Sequence, residues 1–319
     1  MIGRRMTLMA AGVVASRAAV AQGRAVTLVV PFAAGGGTDI VARALAEPLG
    51  EGLGAPVVVE NRAGGGGAVG NLAVVRAPAD GRMLLLGTAG TQAISPRLAD
   101  RPAFDPEADL APVAGIGATP YLLAVPAGGP DADLAGLLAR ARSSAAGLDY
   151  ASAGTGTLSH LCGALLAAAT GARLTHIPYR GAGPANVDLA AGRVAFMFDA
   201  PLTLLEGLRA GRLRALAVTG PARFAPLPEV PTMAEAGLAG FETAELWLAL
   251  FAPAATPPAE IARTAEAALR ATIRPAVVER LASLGFTVRP EDGPSVRARL
   301  AADLARWGGV IRANGIRAE

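Results

Sequence analysis

Nine short apolar runs rich in β-formers recur along the chain, and most are separated by segments whose apolar residues return at helical spacing. The runs are VTLVV (26–30), PVVVE (56–60), MLLLG (83–87), YLLAV (121–125), LDYAS (148–152), THIPY (175–179), VAFMF (194–198), LRALAVT (213–219) and LWLALF (246–251). Most are continuously apolar rather than alternating, as expected of strands covered on both faces. Between them, Ile40, Val41, Ala44 and Leu45 share one helical face, as do Leu134, Leu137, Leu138 and Ala141. Strands alternating with helices specify an α/β fold built on mostly parallel sheets. Residues 258–312 read as helices broken by Pro and Gly, with a short strand possible at FTVRP. No fixed-period repeat is present, which excludes a solenoid.

A chain of 319 residues, 52% of them hydrophobic, suffices for about two cores. The formal charge of +3 would suggest a nucleic-acid partner, but its origin is the N-terminus. Arg4 and Arg5, an apolar stretch from Met6 to Ala15 and the small-residue pattern Ala19-Val20-Ala21 form an export signal over residues 1–21, by the Sec or the twin-Arg route. Its removal takes away three arginines and no acid, leaving a formally neutral chain with no case for nucleic acid. Every basic residue is Arg, so Schiff-base chemistry and a P-loop lysine are excluded. The single cysteine, Cys162, cannot form an internal disulfide and sits in an apolar helical pattern, where it reads as a small buried hydrophobe. His160 and His176 lack metal-ligand spacing, so neither a metal nor a cofactor is expected.

Two places share one layout of strand, Gly/Ser/Thr loop and helix: VVPFAAGGGTDIVARAL (29–45) and LDYASAGTGTLSHLCGALL (148–166). Small residues let backbone approach a ligand, and the first helical turn offers free N–H groups at a positive dipole end. Such a junction holds anions without a charged side chain. Thr38 or Asp39 could cap the first helix, and Thr157 or Ser159 the second. A third cluster, Gly65 to Gly70, matches GxGxxG but lacks both the tight turn and the carboxylate about 20 residues on that a dinucleotide site needs. It reads instead as a mobile or ligand-adjacent loop. There is no GxSxG elbow, and the adjacent Ser159 and His160 cannot face each other on a helix.

In order along the chain, VVPFAAGGGTDIVAR, PVVVENRAGGGGAVGNLAV, PADGRMLLLGT, LDYASAGTGTLSHL, THIPYRGAGPANVDLAAGRVAFMFD, GRLRALAVT, RFAPLPEVPTMAEAGLAGFE and LWLALFAPAATP resemble the tripartite tricarboxylate transporter substrate-binding proteins, the Bug family. The resemblance runs from about residue 22 to the C-terminus. It implies a two-lobed, type II Venus-flytrap fold of the periplasmic binding protein kind. It also implies a non-enzymatic, monomeric receptor in the periplasm that closes on a small organic carboxylate and delivers it to membrane transporter subunits. By the same resemblance, the ligand meets Phe32, Ala33, Gly35, Gly36, Gly37 and Thr38 of the first loop, with Asp39 opening the helix and Thr88 and Ala89 alongside. The second lobe contributes Ser152, Gly154, Thr155, Gly156, Thr157, Ser159 and His160, with Tyr179, Gly181 and Asp199 lining the cleft. His160 is either a ligand contact or a satisfied structural imidazole, and Asp199 either lines the cleft or caps the helix near Leu202.

The lobes expected from this pattern are 22–124 plus 246–319 and 125–245, with YLLAV and LWLALF as the crossings. Two positions depart from it. Arg82 and Met83 follow Asp80-Gly81, where members carry an aromatic residue and then Thr, a surface change before a strand. Pro48 falls inside the first helical pattern, which should end or kink by Glu47. Two other classes remain open: an exported enzyme using His160 or Asp199 as acid or base, and a receptor that signals to a membrane kinase.

Overall fold

The structure is a computed structural model that describes residues 24–98 and 102–317; the export signal at 1–21 lies outside the described residues. All nine apolar runs form strands: β1 (Val26–Val30), β2 (Val57–Asn61), β3 (Met83–Thr88), β5 (Leu122–Pro126), β6 (Leu148–Ser152), β7 (Leu174–Pro178), β8 (Phe196–Asp199), β9 (Leu213–Val218) and β10 (Glu245–Pro253). FTVRP belongs to β11 (Thr287–Asp292). The remaining strand, β4 (Leu110–Pro120), is the longest and was not foreseen. Its sequence, LAPVAGIGATP, lacks a β-branched run because β4 lies between β10 and β11. A β-carbon at Gly117 would overlap the Thr287 carbonyl, so small residues are needed where bulky ones would have signalled a strand.

The strands form two sheets, one per lobe, with orders β11-β4-β10-β3-β1-β2 and β7-β6-β8-β5-β9. Both are mixed, which corrects the expectation of mostly parallel sheets. β1 runs parallel to β2 and β3, and β6 parallel to β7 and β8. However, β10 is antiparallel to β3 and β4, and β5 to β8 and β9. Two of the reversed strands, β5 and β10, are those at which the chain passes from one sheet to the other: β4 ends at Pro120, β5 starts at Leu122, and β10 returns to the first sheet. The third, β11, runs antiparallel to β4 at the sheet edge.

Ten helices are described. α1 (Gly37–Leu53), α2 (Ala68–Val75), α3 (Ser95–Leu98), α8 (Pro258–Thr272), α9 (Pro275–Ser283) and α10 (Gly293–Ala313) accompany the first sheet, while α4 (Leu134–Ser143), α5 (Leu158–Thr170), α6 (Ala182–Ala190) and α7 (Pro201–Arg209) accompany the second. Contrary to expectation, α1 continues through Pro48 to Leu53. An internal proline costs about 3 kcal/mol in an isolated helix, and tertiary packing offsets it here. Pro48, Leu49 and Leu53 are buried, and Gly52 lies so close to Ala267 of α8 that an added β-carbon would sit 3.0 Å from the Ala267 β-carbon.

Candidate functional site

The site lies where the two lobes meet. The first strand ends at Val30 and the chain turns through Pro31–Gly36 into α1, whose N-cap is Gly36. Neither Thr38 nor Asp39 caps it; Asp39 instead reaches back to fix the loop. Its carboxylate accepts from the Gly35 N–H (2.9 Å), from Arg43 Nε (2.9 Å) and from Asn61 Nδ2 (3.0 Å), and Asn61 also donates to the Phe32 carbonyl (3.0 Å). Burial alone would raise the Asp39 pKa, but these bonds and the Arg43 charge outweigh it and hold the carboxyl below its usual value. Gly35 takes φ +82°, a left-handed conformation that a side chain would strain.

In the second lobe, Ser152 to Thr157 form the corresponding turn. Thr157 caps α5 as expected, accepting from the His160 N–H (3.3 Å) and donating to the Gly154 carbonyl (2.7 Å). Ser159 does not cap; it donates to the Phe198 carbonyl (2.5 Å) and ties α5 to β8. Ser152 Oγ receives the Gly154 N–H (3.0 Å) and pairs with His176 Nε2 (2.6 Å). His160 accepts from the Gly156 N–H at Nδ1 (3.3 Å), and its ring stacks on that of His176 with centroids 4.0 Å apart. Burial lowers the His160 pKa to about 4; burial and then the neighbouring imidazole lower that of His176 to about 3.

A cleft with about 440 Å³ of space free of protein atoms, part of it open to solvent, runs between these loops. The first lobe lines it with Phe32, Gly36, Gly37, Thr38, Thr88 and Leu246, and the second with Ala153, Thr157, Leu158, Ala182, Asp199 and Ala200; Tyr121 stands between them. Four helices begin here, because Gly36, Thr157, Gly181 and Ala200 are the N-caps of α1, α5, α6 and α7. No Arg or His lines the cleft. What this wall can offer an anion is therefore the N-termini of helices and their first-turn N–H groups. Asp199 is the one ionisable acid in the wall. Burial pushes its pKa up to about 6, against the bonds it accepts from Thr203 Oγ1 (2.5 Å), the Ala200 backbone and Asn186 Nδ2 (3.2 Å). Its bond to Thr203 also ties it to the first turn of α7.

Of the residues expected from the sequence, Phe32, Gly36, Gly37, Thr38, Thr88, Thr157 and Asp199 line this cleft. Asp39, Ser152, Ser159 and His160 are buried behind the wall and shape the loops. Ala89 is fully buried where β3 turns into the next helical segment. The Tyr179 hydroxyl donates to Asp188 (2.7 Å), within the second lobe. Other expected residues make the contact between lobes. The Ala33 N–H donates to the Arg180 carbonyl (3.1 Å), and β-carbons at Gly156 and Gly181 would come within 2.9 Å of Ser95 and 3.1 Å of Ala33. Gly154 and Thr155 face Gly66, in the third glycine cluster. That cluster forms a single turn, Gly65–Gly67, leading into α2, and is a lobe-to-lobe contact.

Sequence reasoning missed Tyr121, Leu158, Ala182, Ala200 and Leu246, while Ala153 falls within the expected loop from Ser152 to Thr157. Tyr121 and Leu246 had a signal: they open the two runs taken as crossings, and residues at a hinge border the cleft it closes. Ala182 and Ala200 are small residues at helix starts, whose position rather than side chain places them there. Among the described residues, no group of three or more His, Cys, Asp or Glu side chains could hold a metal ion. Cys162 is wholly buried, and burial pushes its thiol pKa up.

Comparison with known proteins agrees with this geometry. The sequence profile described as "Tripartite tricarboxylate transporter family receptor" matches residues 41–316. The solved periplasmic binding protein BugD is 34% identical, with a TM-score of 0.89 over 93% of this chain and 99% of its own. MatC from Rhodopseudomonas palustris, solved with bound malate, is 35% identical with a TM-score of 0.87 over 90% of this chain and 99% of its own. A second R. palustris protein, solved with adipate, is 34% identical with a TM-score of 0.87, covering 92% and 98%.

Proposed function

The chain belongs to the tripartite tricarboxylate transporter receptor family, and on that premise we propose that it is an extracytoplasmic receptor that closes two lobes over a small organic carboxylate and passes it to a membrane transporter of that type. The family is one of non-enzymatic solute receptors with the periplasmic binding protein fold, so the exported-enzyme alternative falls away. One observation carries the ligand class: four helix N-termini converge on a cleft lined by neither Arg nor His. Such a wall suits a carboxylate held by backbone N–H groups. The malate and adipate bound to two relatives support the same class.

In this reading the chain crosses between lobes at YLLAV and LWLALF, the second lobe running from β5 to the residues before β10 and the rest of the mature chain forming the first, and the protein is a monomer exported to the periplasm. A ligand that touches both walls binds the closed state better than the open one, and that difference in affinity drives closure. The closed surface is then what the transporter recognises. The test is a thermal-shift screen of the mature protein against di- and tricarboxylates, hydroxy acids and amino acids, followed by calorimetry and mass analysis. Free ligand at a thousand times Kd should stabilise the protein by about 4 kcal/mol and be recovered unchanged. Consumption of the ligand, or no stabilisation by any carboxylate, would overturn the reading.

A further inference from the structure

Tyr121 is the residue at which the chain leaves β4 of the first sheet for β5 of the second. Its backbone is held on both sides. The Tyr121 N–H donates to Thr219 Oγ1 (2.7 Å), and its carbonyl accepts from the Thr219 N–H (2.8 Å). Thr219 Oγ1 also donates to the Ala244 carbonyl (2.6 Å), beside the start of β10. One threonine therefore ties together the two crossings on which the lobes turn.

Tyr121 is 4% exposed and lines the cleft. No hydrogen bond to its hydroxyl is found among the described residues, although Asp199 lies near enough to raise its pKa, second to burial itself. The hydroxyl is not among the sealed-off side-chain atoms that lack a partner, so it meets the open space of the cleft, where a ligand atom can bond to it. With no Arg or His in the wall, and with the Thr88 and Thr157 hydroxyls already donating to Thr91 and Gly154, this neutral hydroxyl is a donor that the cleft can offer besides backbone N–H groups and the Thr38 hydroxyl.

Resting on the carboxylate-receptor reading above, we propose that the Tyr121 hydroxyl is a specificity-determining donor. It binds a second oxygen acceptor of the ligand, one apart from the carboxylate held at the helix N-termini. The preferred ligands are then carboxylates with a further carboxylate, hydroxyl or carbonyl oxygen, rather than those ending in an alkyl tail. Because Tyr121 sits in the hinge, the same bond ties occupancy of the cleft to the closed angle.

The test is calorimetry of the mature protein and of Tyr121→Phe with two ligand pairs of matched length, adipate with hexanoate and malate with butyrate. The variant removes one oxygen atom and should melt no lower than wild type without ligand. It should lose about tenfold or more in affinity for whichever diacid wild type binds, while the monoacid of that pair binds both proteins alike or too weakly to measure in either. Equal affinity of both proteins for the diacid would overturn this inference and leave the carboxylate reading standing. An equal loss for diacid and monoacid would also overturn it, since it would mean a general change in the cleft. Failure of wild type to bind any carboxylate would overturn both.

Discussion

Gly66 and Thr155 belong to opposite lobes, yet they meet so closely that a β-carbon on Gly66 would overlap the Thr155 carbonyl oxygen. Nothing within either lobe requires a residue without a side chain to face that oxygen; closure does. Gly66→Ala should therefore leave both lobes folded while holding the cleft ajar. The residue also has φ +60°, so alanine adds about 1 kcal/mol of local backbone strain. The expected outcome is a fall in ligand affinity of at least tenfold with a melting temperature within a few degrees of wild type. Small-angle scattering in saturating ligand should show the variant more open, and identical profiles would count against this contact as the stop for closure.

Gly36 and Gly154 differ in what they tolerate. A β-carbon at Gly36 finds ordinary contacts, the nearest 3.6 Å away at the Ala33 carbonyl, and φ there is −79°. Gly36→Ala should fold normally, and Gly36→Val should fold but fill the cleft and lose ligand. Gly154 has φ +133°, and a β-carbon there would sit 3.1 Å from the Tyr179 carbonyl oxygen, so Gly154→Ala should itself destabilise the second lobe by about 1–3 kcal/mol. Denaturant titration beside calorimetry separates the two effects.

Asp39 supports the first loop without lining the cleft. Asp39→Ala removes the acceptor for Gly35, Arg43 and Asn61 together, and should cost about 1–3 kcal/mol because the charge-assisted bonds to a buried carboxylate are lost. Ligand affinity should fall with it, as the backbone between Phe32 and Gly36 loses its anchor. An unchanged affinity would show that the loop holds its shape without this carboxylate.

Acid acts on two groups with opposite sign. Asp199, raised to about 6, binds its proton more tightly in the folded state, so its contribution to stability is present below its ordinary value near 3.8 and lost as pH rises through 6. His160 and His176, lowered to about 4 and 3, bind protons less tightly when folded. Their contribution is present above 6.5 and lost as pH falls through those values. Asp199→Asn should therefore gain on wild type by about 1–3 kcal/mol as pH rises from 4 to 7. His176→Gln should lose less stability than wild type between pH 6.5 and 3. Urea unfolding at intervals across this range would reveal both, and curves parallel to wild type would refute the assignment.

The α/β class, the strands that carry the site and the two glycine junctions were all legible because each rests on local chemistry. Apolar runs mark covered strands, and a Gly/Thr loop before a helix marks free N–H groups. The family pattern then joined two junctions 120 residues apart into one cleft. What the sequence left open depends on neighbours distant along the chain. β4 escaped notice because its small residues answer to β10 and β11, and α1 outlasts Pro48 because α8 packs against it. His160 and Asp39 carry the right chemistry for a ligand contact, but the folded chain directs the first to His176 and Gly156 and the second to Gly35, Arg43 and Asn61. Tyr121 came to the cleft without a motif of its own, because the hinge at which the chain changes sheets placed it there. The kinds of surface available were thus determined locally, whereas which of them face each other was decided by packing between segments that the chain itself keeps far apart.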